Sequence, residues 1–533
     1  MKSAPAQEGA ATDTMSLPRL LHSTSVVGSM TLLSRISGLA RDIVIARMFG
    51  AGPLMDAFVF AFKLPNLLRR FFAEGAFAQA FVPVISEYRA TRGAVEARDL
   101  IARVAGALAA TLFLVTVIGV VAAPVLVLVF GTGLVAGGGP TELATTMLRF
   151  TFPYILFISL TGMAGSVLNA YGRFAVPAFT PVLLNLSIIA AAIWISPRLE
   201  EPTLALAVGV FIAGVVQLLF QLPFLLRAGL LPRLRLDFAH EGVRRILRLM
   251  LPILFGSSVA QINILFDTWI ALFLAGGSAT WLYYADRLVE FPLGVFGIAI
   301  ATVILPMLSS QHARASSASF ASTVDWALRS VLLIGLPAAV GLFMLAEPLL
   351  VTLFYGGEFD TTDVAMAGGA LRAFAPGLLG FILVKVLVAG FFSRQDSRTP
   401  VLIGIRALIV GMVLNVIFVV TLVMTRWAPP HVGLALATTI SSLANATMLF
   451  RGLVAAGVYR PQADLSLLVG RVVIACVVMA AFLLWLLDRA GDWLAMSLTL
   501  RAAWLTAIVG GGAAVYFGAA WVAGLRVSQF RMR

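Results

Sequence analysis

Charge is what this 533-residue chain has little of: Asp, Glu, Lys and Arg make up 12% of it, about half the share usual in a soluble domain. Hydrophobic residues make up 60%, mean hydropathy is +0.99, and apolar stretches recur from end to end with no soluble domain between them. A soluble globular class is thereby excluded, and the chain reads as an all-α polytopic membrane protein. Cysteine is nearly absent too. The single Cys476 lies in an apolar run, so no intramolecular disulfide can form and the redox compartment is left open. Four histidines (His22, His240, His312, His431) are scattered, and no Cys/His metal spacing, nucleotide motif or acid–base–nucleophile set occurs. Gly137–Gly139 has no strand before it and no lysine after it. The sequence therefore speaks against an enzyme or an ATP-driven pump and calls for no metal and no cofactor. Residues 1–16 lack the basic-then-apolar pattern of a cleaved signal and read as a disordered tail.

What the chain does have is spans. At about 20 apolar residues per crossing, about fourteen transmembrane helices fit, centred near residues 36, 72, 115, 157, 187, 215, 260, 295, 338, 378, 412, 444, 477 and 511. Arginines gather in alternate loops: Arg89, Arg92 and Arg98; Arg173; Arg227 to Arg245; Arg314; Arg394 and Arg398; Arg451 and Arg460. The intervening loops are Gly-rich or acidic, as in Gly356 to Asp363. This bias places both termini in the cytoplasm, against the isolated exceptions Arg198, Arg426 and Arg489. It also accounts for most of the net charge of +13 as membrane orientation, with no nucleic-acid partner.

An internal repeat is visible. Phe81-Val-Pro-Val-Ile-Ser86 echoes Ile304-Leu-Pro-Met-Leu-Ser309, and Leu148-Arg-Phe-Thr-Phe-Pro153 echoes Leu371-Arg-Ala-Phe-Ala-Pro376. Pro83 and Pro306, Pro153 and Pro376, Pro177 and Pro400, and Arg149 and Arg372 are all 223 positions apart. That offset covers six spans, so both copies enter from the same side. Such a parallel repeat is a transporter arrangement with the substrate site between two halves. The expected domains are an N-lobe of spans 1–6 (17–230), a C-lobe of spans 7–12 (231–460) and an appended pair, spans 13 and 14 (461–533).

The first two spans carry six basic residues: Arg35, Arg41, Arg47, Lys63, Arg69 and Arg70. A charge near the bilayer centre costs at least a few kcal/mol, so such groups face protein or a watery cavity. At about 100° per residue, Asp56, Lys63, Arg70 and Glu74 of span 2 fall within about 40° of one another. They form either an ion-pair ladder between helices or a cavity wall for an anionic ligand. Arg35 and Asp42 share a face of span 1. Arg41 is turned about 120° away unless a kink near Ser37-Gly38 brings it round. Pairing alone also explains Ser34-Arg35 and Arg41-Asp42, and Arg47 is expected to snorkel to the interface. Tyr283, Asp286, Arg287 and Glu290 cluster on span 8, the counterpart of span 2, where they pair among themselves or face the same cleft. Asp267 is a lone acid on span 7. It is neutralised by a polar neighbour, or it couples transport to a cation with Asn415 of span 11 as co-ligand.

Several stretches resemble the MurJ (MviN) family: Ser34-Arg-Ile-Ser-Gly-Leu-Ala-Arg-Asp42, Asp56-Ala-Phe, Phe62-Lys-Leu-Pro-Asn-Leu-Leu-Arg-Arg70 and Ala73-Glu-Gly-Ala-Phe-Ala-Gln-Ala-Phe-Val-Pro83. Tyr283-Tyr-Ala-Asp-Arg-Leu-Val-Glu-Phe-Pro292 and Phe392-Ser-Arg-Gln-Asp-Ser-Arg-Thr-Pro400 do so too. The likeness covers essentially the whole chain. It implies a flippase of the bacterial inner membrane that carries lipid II, the undecaprenyl-pyrophosphate-linked disaccharide-pentapeptide of peptidoglycan synthesis, by alternating access of two lobes. It further implies a groove for the polyprenyl tail in spans 13 and 14, and cell-wall synthesis or division machinery as the source of protein partners. Substrate-handling residues carried over are Ser34, Arg35, Arg41, Asp56, Lys63, Arg70, Glu74, Asp286, Arg287 and Glu290, with Thr280 where some relatives have serine. Some relatives hold sodium between two acids. Asp267 is the single such acid in evidence here, which leaves membrane potential or a monovalent cation as energy source. Drug exporters of the same superfamily, transporters of other lipid-linked sugars and a non-transporting scaffold are the rival functions. Six basic residues in two spans count against the first.

Overall fold

The computed structural model describes residues 17–69, 76–314, 316–462 and 464–526; the tail 1–16, Arg70 and Glu74 lie outside them. Among the described residues the chain is helical throughout, with one isolated β-bridge, Gly356 to Phe359. Helices follow from the solvent: hydrocarbon offers the backbone no hydrogen-bond partner, so each apolar run must satisfy its own N–H and C=O groups. Nine described helices are long and apolar enough to cross a membrane. The pair Thr361–Phe374 and Gly377–Phe392, bent by 43° at its break, makes a tenth candidate. The helices over the expected centres near 36, 260 and 295 fall outside this set; they are Leu17–Phe49, Glu241–Ala271, and Ser278–Pro292 running through a π-helical turn (Leu293–Gly297) into Ile298–Ala313, while the expected centre near 72 lies outside the described residues.

The repeated prolines occupy like places. Pro83 and Pro306 sit inside helices Ala76–Thr91 and Ile298–Ala313. Pro153 follows the end of Thr141–Thr151, and Pro376 follows the end of Thr361–Phe374. Proline lacks an N–H and clashes with the preceding turn, so a duplicated proline duplicates a break.

One hydrophobic cluster joins early and late chain, with Ile45, Phe58 and Phe60 in the same core as Trp281, Tyr284, Phe354 and Phe359. A second packs Val243, Ile246 and Met250, from the start of Glu241–Ala271, against Phe77, Phe81 and Tyr88. A third packs Asp464–Ala490 and Leu498–Val522 beside Leu345. Arg329, buried in Ser317–Met344, ties Asp325 to Asp464 at the start of the first of these two C-terminal helices. Arg501 binds the carbonyls of Trp493, Leu494 and Val351 in the same region as the second.

The connection before Glu241 is strapped to Gly93–Val121. Arg235 N–H donates to Ala102 O (3.1 Å), Arg235 pairs with Asp99 (2.6 Å), and Arg103 bridges Asp99 and Asp237. Partial burial pushes the Asp237 carboxyl up. The Ala239 N–H, the Arg103 guanidinium and the His240 N–H outweigh it and hold the group below the usual carboxylate range. A depressed pKa contributes stability that is present above the unfolded value near pH ~4 and is lost as pH falls through the folded one. Asp237→Asn should therefore lower the thermal midpoint at neutral pH, with the gap to wild type closing below about pH 4. Thermal unfolding in detergent across that range checks it, and a gap that persists at low pH would refute it.

Candidate functional site

A cavity of about 800 Å3 lies between early and late helices. One part of its wall is ionic: Arg35, Arg41 and Asp42 from Leu17–Phe49, with Arg287 and Glu290 from Ser278–Pro292. The rest is largely apolar and runs past Leu333 and Pro337 to Met479, Leu483, Val509, Tyr516 and Phe517 of the two C-terminal helices. Three arginines against two acids leave the charged wall net positive by one. An ionic end joined to a long apolar side suits an amphiphile with an anionic head.

Asp42 is the hub. Arg41 donates to its Oδ1 through Nε (3.0 Å) and Nη2 (2.6 Å), Tyr283 OH donates to the same oxygen (2.9 Å), and Arg287 Nε donates to Oδ2 (3.0 Å). Arg287 Nη1 also reaches Glu290 (2.7 Å). Arg41 and Asp42 are 3% and 2% exposed, so each needs the other: removing one partner of a buried pair strands a charge. Helix Leu17–Phe49 is continuous through Ser37-Gly38, and Arg41 still reaches the cavity.

The structure brings Ser34, Arg35, Arg41, Arg287 and Glu290 to the cavity wall, while Asp56, Lys63 and Asp286 lie off it. Asp56 instead accepts from Gly277 N (2.7 Å), Thr280 N (2.8 Å) and Thr280 Oγ1 (2.6 Å). Gly277 (φ +101°) begins helix Ser278–Pro292 in a backbone conformation that only glycine adopts readily, and it has no side chain to cap the helix. Asp56 supplies the cap from a distant part of the chain, where the positive end of the helix dipole favours a carboxylate. Lys63 Nζ donates to Thr268 Oγ1 (3.0 Å), and its charge faces the carboxylates of Asp286, Asp267, Asp56 and Glu290.

Nearby, Asp363 accepts from Ala51 N (3.1 Å) and Trp281 Nε1 (2.8 Å). Arg47 does not snorkel: its Nη2 donates to Leu353 O (3.2 Å), because the end of helix Ala346–Leu353 leaves carbonyls without helical partners. Asp267 and Asn415 do meet. Asn415 Nδ2 donates to Oδ1 (2.6 Å), while Asn263 Nδ2 (3.0 Å) and Thr438 Oγ1 (3.2 Å) donate to Oδ2.

Asn185, absent from the sequence-derived candidates, accepts from Arg41 Nη1 at 3.1 Å. Its one signal was being a lone amide in the apolar run Pro181 to Ile189. Asp42 was visible only as a pairing partner.

Arg35 rests on the π-turn Leu293–Gly297. A Cβ built on Gly294 would stand 1.9 Å from Arg35 Nη1 and 2.1 Å from Cζ. The obstacle is the end of a flexible side chain, so Gly294→Ala should leave the thermal midpoint close to wild type while Arg35 leaves its seat. Thermal unfolding and a structure of the variant check this, and an unmoved Arg35 would refute it.

The family model described as "Lipid II flippase MurJ" matches residues 45–503. A probable lipid II flippase MurJ of Vibrio cholerae is 48% identical over 520 residues, covering 96% of this chain and 98% of the relative. A lipid II flippase MurJ of Burkholderia cenocepacia is 41% identical over 524 residues, covering 96% and 99%. Among solved structures, a lipid II flippase MurJ in an inward closed conformation aligns with TM-score 0.76 at 23% identity, covering 93% of this chain and 98% of the other. An inward-facing MATE multidrug transporter aligns with TM-score 0.65 at 16% identity, covering 81% and 98%. These two share the fold. By sequence, the chain belongs to the MurJ family of lipid II flippases, multi-pass membrane transporters of bacteria.

Proposed function

We infer that this protein moves lipid II from the cytoplasmic to the outer leaflet of the inner membrane by alternating access. The observation that carries the reading is one continuous cavity wall that passes from Arg35, Arg41 and Arg287 to the apolar face of the C-terminal helices. A pyrophosphate cannot cross hydrocarbon unaided, and guanidinium groups match its oxygens with paired hydrogen bonds. Arg35, Arg41 and Arg287 hold the head, with Ser34 and Glu290 beside them. The polyprenyl tail lies along the C-terminal pair.

In this reading about fourteen spans form lobes 17–230 and 231–460 with the appended pair 461–533, both termini are cytoplasmic, and the lobes rock about the cavity. Asp56 on Gly277 and Thr280, Asp363 on Ala51, and Arg47 on Leu353 are contacts between the lobes. They lie at the end that the loop charges assign to the outside, and they part when the cavity opens there. Lys63, Asp286, Arg70 and Glu74 help to bind the head or to gate the lobes. Enzymes of cell-wall synthesis or division supply and consume the cargo.

Fluorescent lipid II in proteoliposomes tests the reading. Wild type should move it between leaflets, and Arg41→Ala at equal density should be at least about tenfold slower, since the variant loses hydrogen bonds to a charged group. Equal rates would remove the cationic cavity from the mechanism.

A cytoplasm-negative potential favours return of the empty, net-positive cavity towards the inside, at about 2.3 kcal/mol per charge per 100 mV. Coupling to a monovalent cation is the second reading. The Asp267 carboxylate lies beside Asn415, whose Oδ1 is buried with no hydrogen-bond partner among the described residues, and such oxygens fit a monovalent cation. Under potential coupling, collapsing the potential with no ion gradient present slows transport and Asp267→Asn does not. The opposite pattern, with dependence on sodium or another monovalent cation, selects the second reading.

A further inference from the structure

We propose that Asn185 is a positioning residue that holds the Arg41 guanidinium in the cavity when the two halves of the protein part; the inference rests on the flippase reading. The partners of Arg41 sort by their place in the chain. Asp42 is its neighbour, and Asn185 lies on Ala175–Ala190, a helix packed along Leu17–Phe49. Tyr283, which accepts from Arg41 Nη2 (3.0 Å), and Arg287, which shares Asp42, both belong to Ser278–Pro292 in the second half. Alternating access takes the latter pair away and leaves the former.

With Tyr283 withdrawn, Asp42 grips only the Nε/Nη2 edge of the guanidinium. A flexible arginine stem held along one edge is free to swing about it. Asn185 Oδ1 holds the opposite nitrogen, Nη1, at 3.1 Å, so the plane is fixed at both edges and the donor released by Tyr283 stays directed at the cavity.

The amide is itself oriented. Its Nδ2 donates to Ser37 Oγ (2.9 Å) and to the Ser34 carbonyl (3.2 Å). A carbonyl accepts and never donates, so the NH2 group must face Ser34 and the oxygen must face Arg41. At 5% exposure Asn185 has little water to replace either partner. One side chain thus couples the backbone of the first helix to the arginine that its sequence spacing alone would turn away from the cavity.

Lipid II movement in proteoliposomes, followed as a function of lipid II density, tests this with Asn185→Ala, Asn185→Leu and Ser37→Ala. Asn185→Ala should raise the half-saturating density about tenfold, the loss of one hydrogen bond to a charged group, with the maximal rate within about twofold. Asn185→Leu keeps the volume, removes the acceptor for Nη1 and should raise the half-saturating density by the same factor. Ser37→Ala removes only a partner on the donor side and should stay within about twofold of wild type. An unchanged half-saturation in Asn185→Ala, or a loss in Ser37→Ala equal to it, overturns the proposal and leaves a helix staple in its place. If Asn185→Ala does not fold, the equal-volume Asn185→Leu decides: a tenfold rise in half-saturation supports the role, and a near-wild-type value overturns it. Active wild type with indifferent variants sinks this inference alone. Wild type that moves no lipid II sinks the flippase reading and this inference with it.

Discussion

The structure turns on one carboxylate. Asp42 is nearly fully buried, and each of its oxygens is taken: Oδ1 by Arg41 and Tyr283, Oδ2 by Arg287. Taking a carboxylate and a guanidinium out of water costs several kcal/mol per ion, repaid only when geometry and hydrogen bonding are nearly complete. Here completeness needs residues from both halves of the chain. This arrangement of charges is therefore complete only while Ser278–Pro292 stands beside Leu17–Phe49. A wall that is net positive by one holds its arginines without trapping them, as a transporter that must release its cargo requires.

The contacts around Asp56, Asp363 and Arg47 follow a different rule. There, charged side chains satisfy backbone groups at helix ends and loops: Gly277 and Thr280 N–H groups, the Ala51 N–H and the Leu353 carbonyl. Helix termini always leave such groups over, so a distant side chain that caps them gains a hydrogen bond and a favourable dipole without any dedicated pocket. Such contacts suit the gating proposed above, because each terminal group can turn to water when its partner leaves.

Much of this was legible in the residues. Scarcity of charge meant membrane spans, and the 223-residue offset of prolines reappears as like-placed prolines and breaks in the helices. The cluster of Arg35, Arg41, Arg287 and Glu290 does gather at one cavity. Asp267 and Asn415, 148 positions apart, do touch. Other assignments missed because they rested on one helix at a time. The helical projection put Asp56 and Lys63 on one stripe but could not say what faced that stripe, and both turned out to reach across to the second half instead of lining the cavity. Arg47 near a span end looked like a snorkelling residue because the carbonyls it binds lie some 300 positions further along, and no local pattern announces them.

The sequence by itself determined the membrane class, the all-helical character, the duplicated breaks and the identity of most charged residues at the site. These depend on hydropathy, proline geometry and the cost of charge in hydrocarbon, all of which act locally. Only the tertiary structure decided which charges share a partner, that Asn185 completes Arg41, and that the ionic wall is continuous with an apolar wall shared by Ser317–Met344 and the last two helices. Those outcomes are set by distances between segments far apart in the chain, where burial forbids an unpaired charge and leaves few arrangements that pair them all.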